Sequence, residues 1–99
     1  MRVHWTDRAK TRLRLIHEYI ARGAPTVALE VVERLVKRSI LIGQAPHAGR
    51  QVPEYRRDDL RELLERPYRI IYRIRTDRID VITVMHYRQL LPTDPDHLK

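Results

Sequence analysis

The stretch PYRIIYRIRTDRIDVITVMHYR, residues 67–88, is what most limits how this chain can fold. Along it, apolar and polar side chains alternate with a period of two, a pattern that suits a half-buried strand and not an amphipathic helix. A turn near Asp77–Arg78 makes the two runs a hairpin. A two-residue loop there sets Thr76 against Ile79, Arg75 against Asp80, Arg73 against Ile82, Ile71 against Val84 and Arg69 against His86. One face then carries Tyr68, Ile70, Tyr72, Ile74, Val81, Thr83 and Met85 and suits packing on helices. The other carries Arg69, Ile71, Arg73, Ile82, Val84 and His86, apolar in the middle and basic at one end. An apolar patch rimmed by charge is expected to bind a partner. The competing reading has the tail after Arg88, or a second copy of the chain, covering it.

The remaining segments supply what such a hairpin needs in order to bury one face. MRVHW reads as a short strand with Val3 and Trp5 on one side, Trp5 anchoring it in the core. Thr6 and Asp7 are helix-capping types, and Ala9, Leu13, Ile16 and Ile20 form one stripe of a first helix. Gly23 stops it and Pro25 can open the next. The second helix is expected from about Pro25 to Ile42, with Ala28, Val31, Val32, Leu35, Ser39 and Ile42 inward and Gly43 as its stop. So short a link makes the helices an antiparallel hairpin. Residues 43–59 lose all periodicity and read as a long loop of the kind that often carries function. LRELLER follows as a further strand whose facing stays open, and QLLPTDPDHLK as an irregular tail. The expected fold is therefore one α+β domain over 1–99: an N-terminal strand, a helix hairpin, and a three-stranded antiparallel meander completing a small sheet packed on the helices.

Charge narrows the partners. Twenty Lys and Arg face thirteen Asp and Glu, a net charge of +7 and an isoelectric point near 10.4, and seventeen of the twenty are Arg. Arginine grips carboxylate or phosphate with a planar fork, so a polyanionic partner is expected, nucleic acid or an acidic protein. No run reaches the ~18 apolar residues of a membrane span, and MRVHWTDRAK lacks the apolar core of a signal peptide. The absence of cysteine removes disulfides and thiolate metal sites and fits a cytoplasmic protein. His4, His17, His47, His86 and His97 have no metal-ligand spacing, so neither metal nor other cofactor is expected. Tyr68 and Tyr72 read most simply as core aromatics whose hydroxyls reach an edge.

Three segments in order, LRELLERPYRIIYRI, APHAGRQVPE (residues 45–54) and VMHYRQLLP, resemble the RelE/ParE family of toxins from bacterial type II toxin–antitoxin modules. The resemblance covers nearly the whole chain. It implies a small α+β toxin neutralised by a cognate acidic antitoxin, with Ile71, Arg73, Ile82 and Val84 as the candidate antitoxin contacts.

Two functions compete within that resemblance. RelE-like and YoeB-like relatives cut mRNA in the ribosomal A site without metal, which needs a base, an acid and cations for the phosphorane. Glu54, Arg69, Arg73, His86 and Tyr87 would be the candidates here. ParE-like relatives block DNA gyrase and are not regarded as enzymes. VMHYRQLLP is similar to the ParE-like ending, VPEY and PYRIIYRI are also ParE-like, and the loop lysine cluster of the RelE-like branch is missing, since Lys occurs only at 10, 37 and 99. The gyrase reading is therefore favoured, with Arg69, Arg73, His86, Arg88, Leu90 and Leu91 as candidate target contacts. The ribosome-dependent endoribonuclease is the alternative, and a toxin decayed to a binding module is a third.

Overall fold

The computed structural model describes residues 1–98. Its order is β1 (Arg2–Trp5), α1 (Asp7–Ala21), α2 (Pro25–Gln44), β2 (Arg50–Gln51), β3 (Leu60–Glu65), β4 (Tyr68–Ile74) and β5 (Arg78–His86), with short 3-10 turns at Pro46–Ala48 and Pro95–Leu98. The sheet runs β1-β5-β4-β3-β2; β1 is parallel to β5 and the other pairs are antiparallel. This is the α+β architecture expected, with the two-residue β2 added from within the long loop. Among the described residues no helix is long and apolar enough to cross a membrane.

The helices form where the stripes placed them. Thr6 caps α1, its hydroxyl accepting the Ala9 N–H at 3.1 Å, and Pro25 opens α2 at its first turn. Ser39 sits in an otherwise apolar stripe because the Trp5 indole N–H donates to its hydroxyl at 3.0 Å, while that hydroxyl donates to the Val36 carbonyl at 2.7 Å. Gly43 does not stop α2, which continues to Gln44. Its missing side chain serves a close approach instead: a Cβ there would lie 2.5 Å from the Met1 carbonyl oxygen and 3.0 Å from a Val3 methyl.

The hairpin register differs from the expected one. Arg75 N–H donates to the Arg78 carbonyl at 2.8 Å, so the loop is Thr76–Asp77, one residue earlier. A bulge then shifts the pairing again, with Tyr72 opposite Val81 but Ile71 opposite Thr83, which leaves Ile82 as the extra residue. The bulge turns the second half of β5 over. Val84 pairs with Ile70 and His86 with Tyr68, on the helix side, while Thr83 and Met85 join Ile71 and Arg69 on the other. Strict alternation could not reveal the inversion, because one inserted residue leaves a sequence that still looks periodic. Arg75 and Asp80 do form the expected ion pair, at 2.7 Å, although Asp80 lies across from Arg73.

β4 is consequently buried on both faces. Toward the helices, Ile70, Tyr72, Ile79, Val81 and Val84 pack with Ala9, Val31, Leu35 and Ile42. On the opposite face Ile71, Val52, Leu60 and Leu98 form a second cluster, flanked by Tyr55, Ile82, Met85 and Leu91. The tail crosses this face and is tied down where the Tyr55 hydroxyl donates to the Pro92 carbonyl at 2.6 Å. The expectation of an open apolar patch is thus corrected. Ile71 lies beneath the loop and tail, Val84 belongs to the helix-side core, and only Ile82 and Arg73 stay half-buried at the margin.

Gly49 fixes the loop to the sheet. Its N–H donates to the Tyr72 hydroxyl at 3.1 Å, which itself donates to the Pro46 carbonyl at 2.6 Å. A Cβ on Gly49 would lie 2.6 Å from the Glu62 carbonyl oxygen and collide with the Tyr72 hydroxyl. Gly49→Ala is expected to lower the unfolding free energy by about 1–3 kcal/mol, the usual range for overpacking, as read from urea denaturation beside the exposed control Gly23→Ala.

Candidate functional site

The arginines of β4 and β5 are held by carboxylates that flanking segments bring to them. β3 places Leu60, Glu62 and Leu64 on the second face, opposite Arg73, Ile71 and Arg69, which settles the facing left open by LRELLER. Glu62 has no exposed side-chain surface. It accepts from Arg69 Nε at 2.8 Å, from Arg69 Nη2, and from Arg50 Nε at 2.7 Å. The outer edge of the Arg69 guanidinium donates to Glu54 at 3.0 and 3.1 Å. The result is a chain of alternating charge, Arg50–Glu62–Arg69–Glu54. The Arg69 hydrogen bond holds the Glu54 carboxyl below its ordinary value, against a smaller opposing effect of burial. Burial works to lower the Arg69 value, but the bonds from Glu54 and Glu62 outweigh it and leave the guanidinium more firmly protonated.

The same pattern recurs along the hairpin. Asp59 takes Arg73 at 3.0 Å and Arg57 at 2.7 Å. Asp80 takes Arg75 at 2.7 Å, Arg78 at 2.9 Å and His4 at 3.2 Å. Burial opposes ionisation of Asp80, yet the bonds from Arg78, Arg75 and His4 prevail and hold it at about 2. Four of the five arginines in the 67–88 stretch are therefore satisfied within the fold. The fifth, Arg88, lies over the Tyr87 ring, 5.4 Å from its centroid, and donates to the Tyr87 hydroxyl at 3.0 Å.

A cleft of about 760 Å³ opens above the Arg69 network. Pro53, Leu64, Pro67, Tyr68 and Tyr87 make its walls, and Arg50, Glu54, Arg66 and Arg69 its charged lining. It gathers Glu54, Arg69 and Tyr87 from the nuclease candidates. Arg73 lines a different groove of about 290 Å³, with Arg57, Arg75, Asp80 and Ile82. His86 is not beside Arg69, the pairing expected from the unbulged register. It packs edge-on against Tyr68, ring centroids 6.0 Å apart, stacks on Tyr87 at 4.9 Å, and accepts the Arg88 N–H on Nδ1 at 3.2 Å. Of the tail candidates, Leu90 is 94% exposed, whereas Leu91 turns toward the second cluster. Among the described residues no three His, Asp or Glu side chains are grouped to hold a metal.

Sequence reasoning found Asp80 as the partner of Arg75 but missed Glu62 and Asp59, and missed that Asp80 also holds Arg78 and His4. The available signal was the five acids Glu54, Asp58, Asp59, Glu62 and Glu65 clustered just ahead of a strand rich in arginine.

Residues 3–91 match the family model described as ParE toxin of type II toxin-antitoxin system, parDE. The chain is 38% identical over 93 residues to "Putative toxin Y4kP" of Sinorhizobium fredii strain NBRC 101917 / NGR234, covering 92% of this chain and 93% of the relative. It also superposes on a solved chain from the chromosomal ParDE TA system of P. aeruginosa with a TM-score of 0.75 and 25% identity, over 87% of this chain and 95% of that one.

Two outcomes follow from the ion network. Arg69→Leu leaves the buried Glu62 carboxylate with Arg50 as its remaining ion-pair partner and is expected to cost about 3 kcal/mol. Adding Glu62→Leu should restore much of that loss, a coupling readable by a double-mutant cycle in urea. Asp80 titrates at about 2 when folded against an ordinary 3.8. Its stabilising contribution is complete above the unfolded value and is lost as pH falls through the folded one. Asp80→Asn should therefore be less stable than the parent by about 2 kcal/mol at pH 7, with the gap closing between about pH 4 and 2, as followed by denaturant midpoints.

Proposed function

The chain belongs to the ParE toxin family of type II toxin–antitoxin systems, and on that premise we propose that it is a cytoplasmic, growth-inhibiting toxin that binds DNA gyrase and is held inactive by a cognate acidic antitoxin. The observation that carries the non-catalytic reading is the commitment of Arg69 and Arg73 to internal carboxylates. An endoribonuclease needs cations free to meet the charge that develops on the phosphorane. Here one guanidinium is 7% exposed and bound by two glutamates, and the other is held by Asp59. Glu54, held below its ordinary value by Arg69, is also a weak base at neutral pH.

The mRNA endonuclease alternative has one observation in its favour: Glu54, Arg69 and Tyr87 share a single cleft. For gyrase, the exposed ending Tyr87, Arg88 and Leu90 offers an aromatic, a cation and an apolar anchor at one place, the residue types that dominate protein interfaces. For the antitoxin, Arg73 and Ile82 remain on the rim of the second-face groove, while Ile71 and Val84 would act only from within the core. The P. aeruginosa chain comes from a toxin–antitoxin system, which supports an antitoxin partner here.

Purified toxin is expected to inhibit supercoiling by gyrase and to leave ribosome-bound mRNA intact. Arg88→Glu with Leu90→Asp should weaken the inhibition by at least about tenfold, and His86→Ala by less. Truncating the tail is the wrong probe, because Leu91 and Leu98 pack on the second face. Cleavage of A-site mRNA that His86→Ala or Glu54→Gln abolishes, with the fold intact by circular dichroism, would replace the gyrase reading with the nuclease.

A further inference from the structure

Arg12, Leu15, Tyr19 and the C-cap residue Arg22, which keeps helical backbone angles, follow one another at spacings of three, four and three, so they share one flank of α1, beside the stripe that faces the sheet. All four are exposed, Leu15 by 45% and Tyr19 by 68%. The acids of α1 belong elsewhere: Asp7 lies 3.8 Å from Lys10, and Glu18 lies 3.7 Å from Arg14. The flank is therefore cationic and apolar at once. It joins the chain ending through a shared groove. Arg12 lines a groove of about 330 Å³ with Gln89, Leu90 and Leu91.

From this juxtaposition we infer that the flank of α1 formed by Arg12, Leu15, Tyr19 and Arg22 continues the Tyr87–Leu90 ending as one docking surface for an acidic, amphipathic segment of the toxin's protein target. The inference rests on the target reading above. Charge complementarity fixes the sign of the partner, since four hairpin arginines are already neutralised and those of the flank have no ion-paired carboxylate among the described residues. The apolar side chains decide its class. A phosphate backbone gains nothing from exposed Leu15 and Leu90, whereas a protein segment with leucine or aromatic anchors between acids satisfies both kinds of group. Spacing of the anchors along one helix flank over more than two turns suits a partner helix better than a loop tip.

The experiment compares two charge reversals of equal size on opposite sides of α1, using gyrase holoenzyme and a supercoiling assay. Arg12→Glu with Arg22→Glu is expected to raise the inhibitory concentration by at least about tenfold, and Tyr19→Ser alone by several-fold. Lys10→Glu with Arg14→Glu carries the same change in net charge and should leave inhibition within about twofold of the parent, apart from general electrostatic steering. Melting temperatures near the parent value establish that each variant is folded. Equal losses in both double variants, or retained inhibition by the Arg12/Arg22 pair, overturn the inference while the gyrase reading stands. Loss of DNA binding without loss of inhibition would assign the flank to nucleic acid and overturn it as well. A parent chain that leaves supercoiling untouched overturns the target reading, and this inference with it.

Discussion

A carboxylate with no exposed side-chain surface, Glu62, sits at the centre of the second sheet face, and its neighbours are arranged around the need to compensate it. Removing such a group from water costs several kcal/mol, and only close, well-directed donors offset that cost. Arg69 supplies two of them from the next strand and Arg50 a third from β2. Arg69 is itself nearly buried, so it requires a second anion, and Glu54 closes the chain from the loop. The two-residue strand β2 and the turn at Pro53 thus hold their places for an electrostatic reason as much as an apolar one.

A second constraint follows from size. Ninety-nine residues bury little surface, and a five-stranded sheet has two faces to cover. The helix hairpin covers one. The other is covered by the long loop, which contributes Val52 and Tyr55, and by the tail, which contributes Leu91 and Leu98. The bulge at Ile82 lets β5 serve both arrangements, aligning Val81 and Val84 with the helices although they stand three positions apart. These devices leave β4 as the interior strand of the domain, with Ile70 and Tyr72 on one side and Ile71 on the other.

Functional consequences come from where the positive charge ends up. In the sequence the charge is densest on the β4–β5 hairpin, yet Asp59, Asp80, Glu54 and Glu62 neutralise four of its arginines. Exposed basic residues set among exposed leucine and tyrosine lie on α1 and at the Tyr87–Arg88 ending. An interface of that composition recognises a protein more readily than it cuts a phosphodiester, because binding needs anchors and complementary charge while catalysis needs uncommitted acids, bases and cations.

The sequence by itself determined the elements. The stripes of Ala9 to Ile20 and Ala28 to Ile42, the Thr6 cap, Pro25, and the alternation of residues 67–88 each reflect rules that act over a few residues, and each appears in the fold. The three family-like segments carried the identity of the fold for the same reason, being local. Only the tertiary structure decided the facing of LRELLER, the fate of Ile71 and Val84, and the separation of Arg69 from His86. A single bulged residue inverts half a strand without disturbing its pattern, and the facing of Glu62 stays open until its arginines arrive from two other strands. Gly43 shows the same limit: read along the chain it is a helix stop, and only the strand packed against it reveals that what mattered was the space its missing side chain leaves.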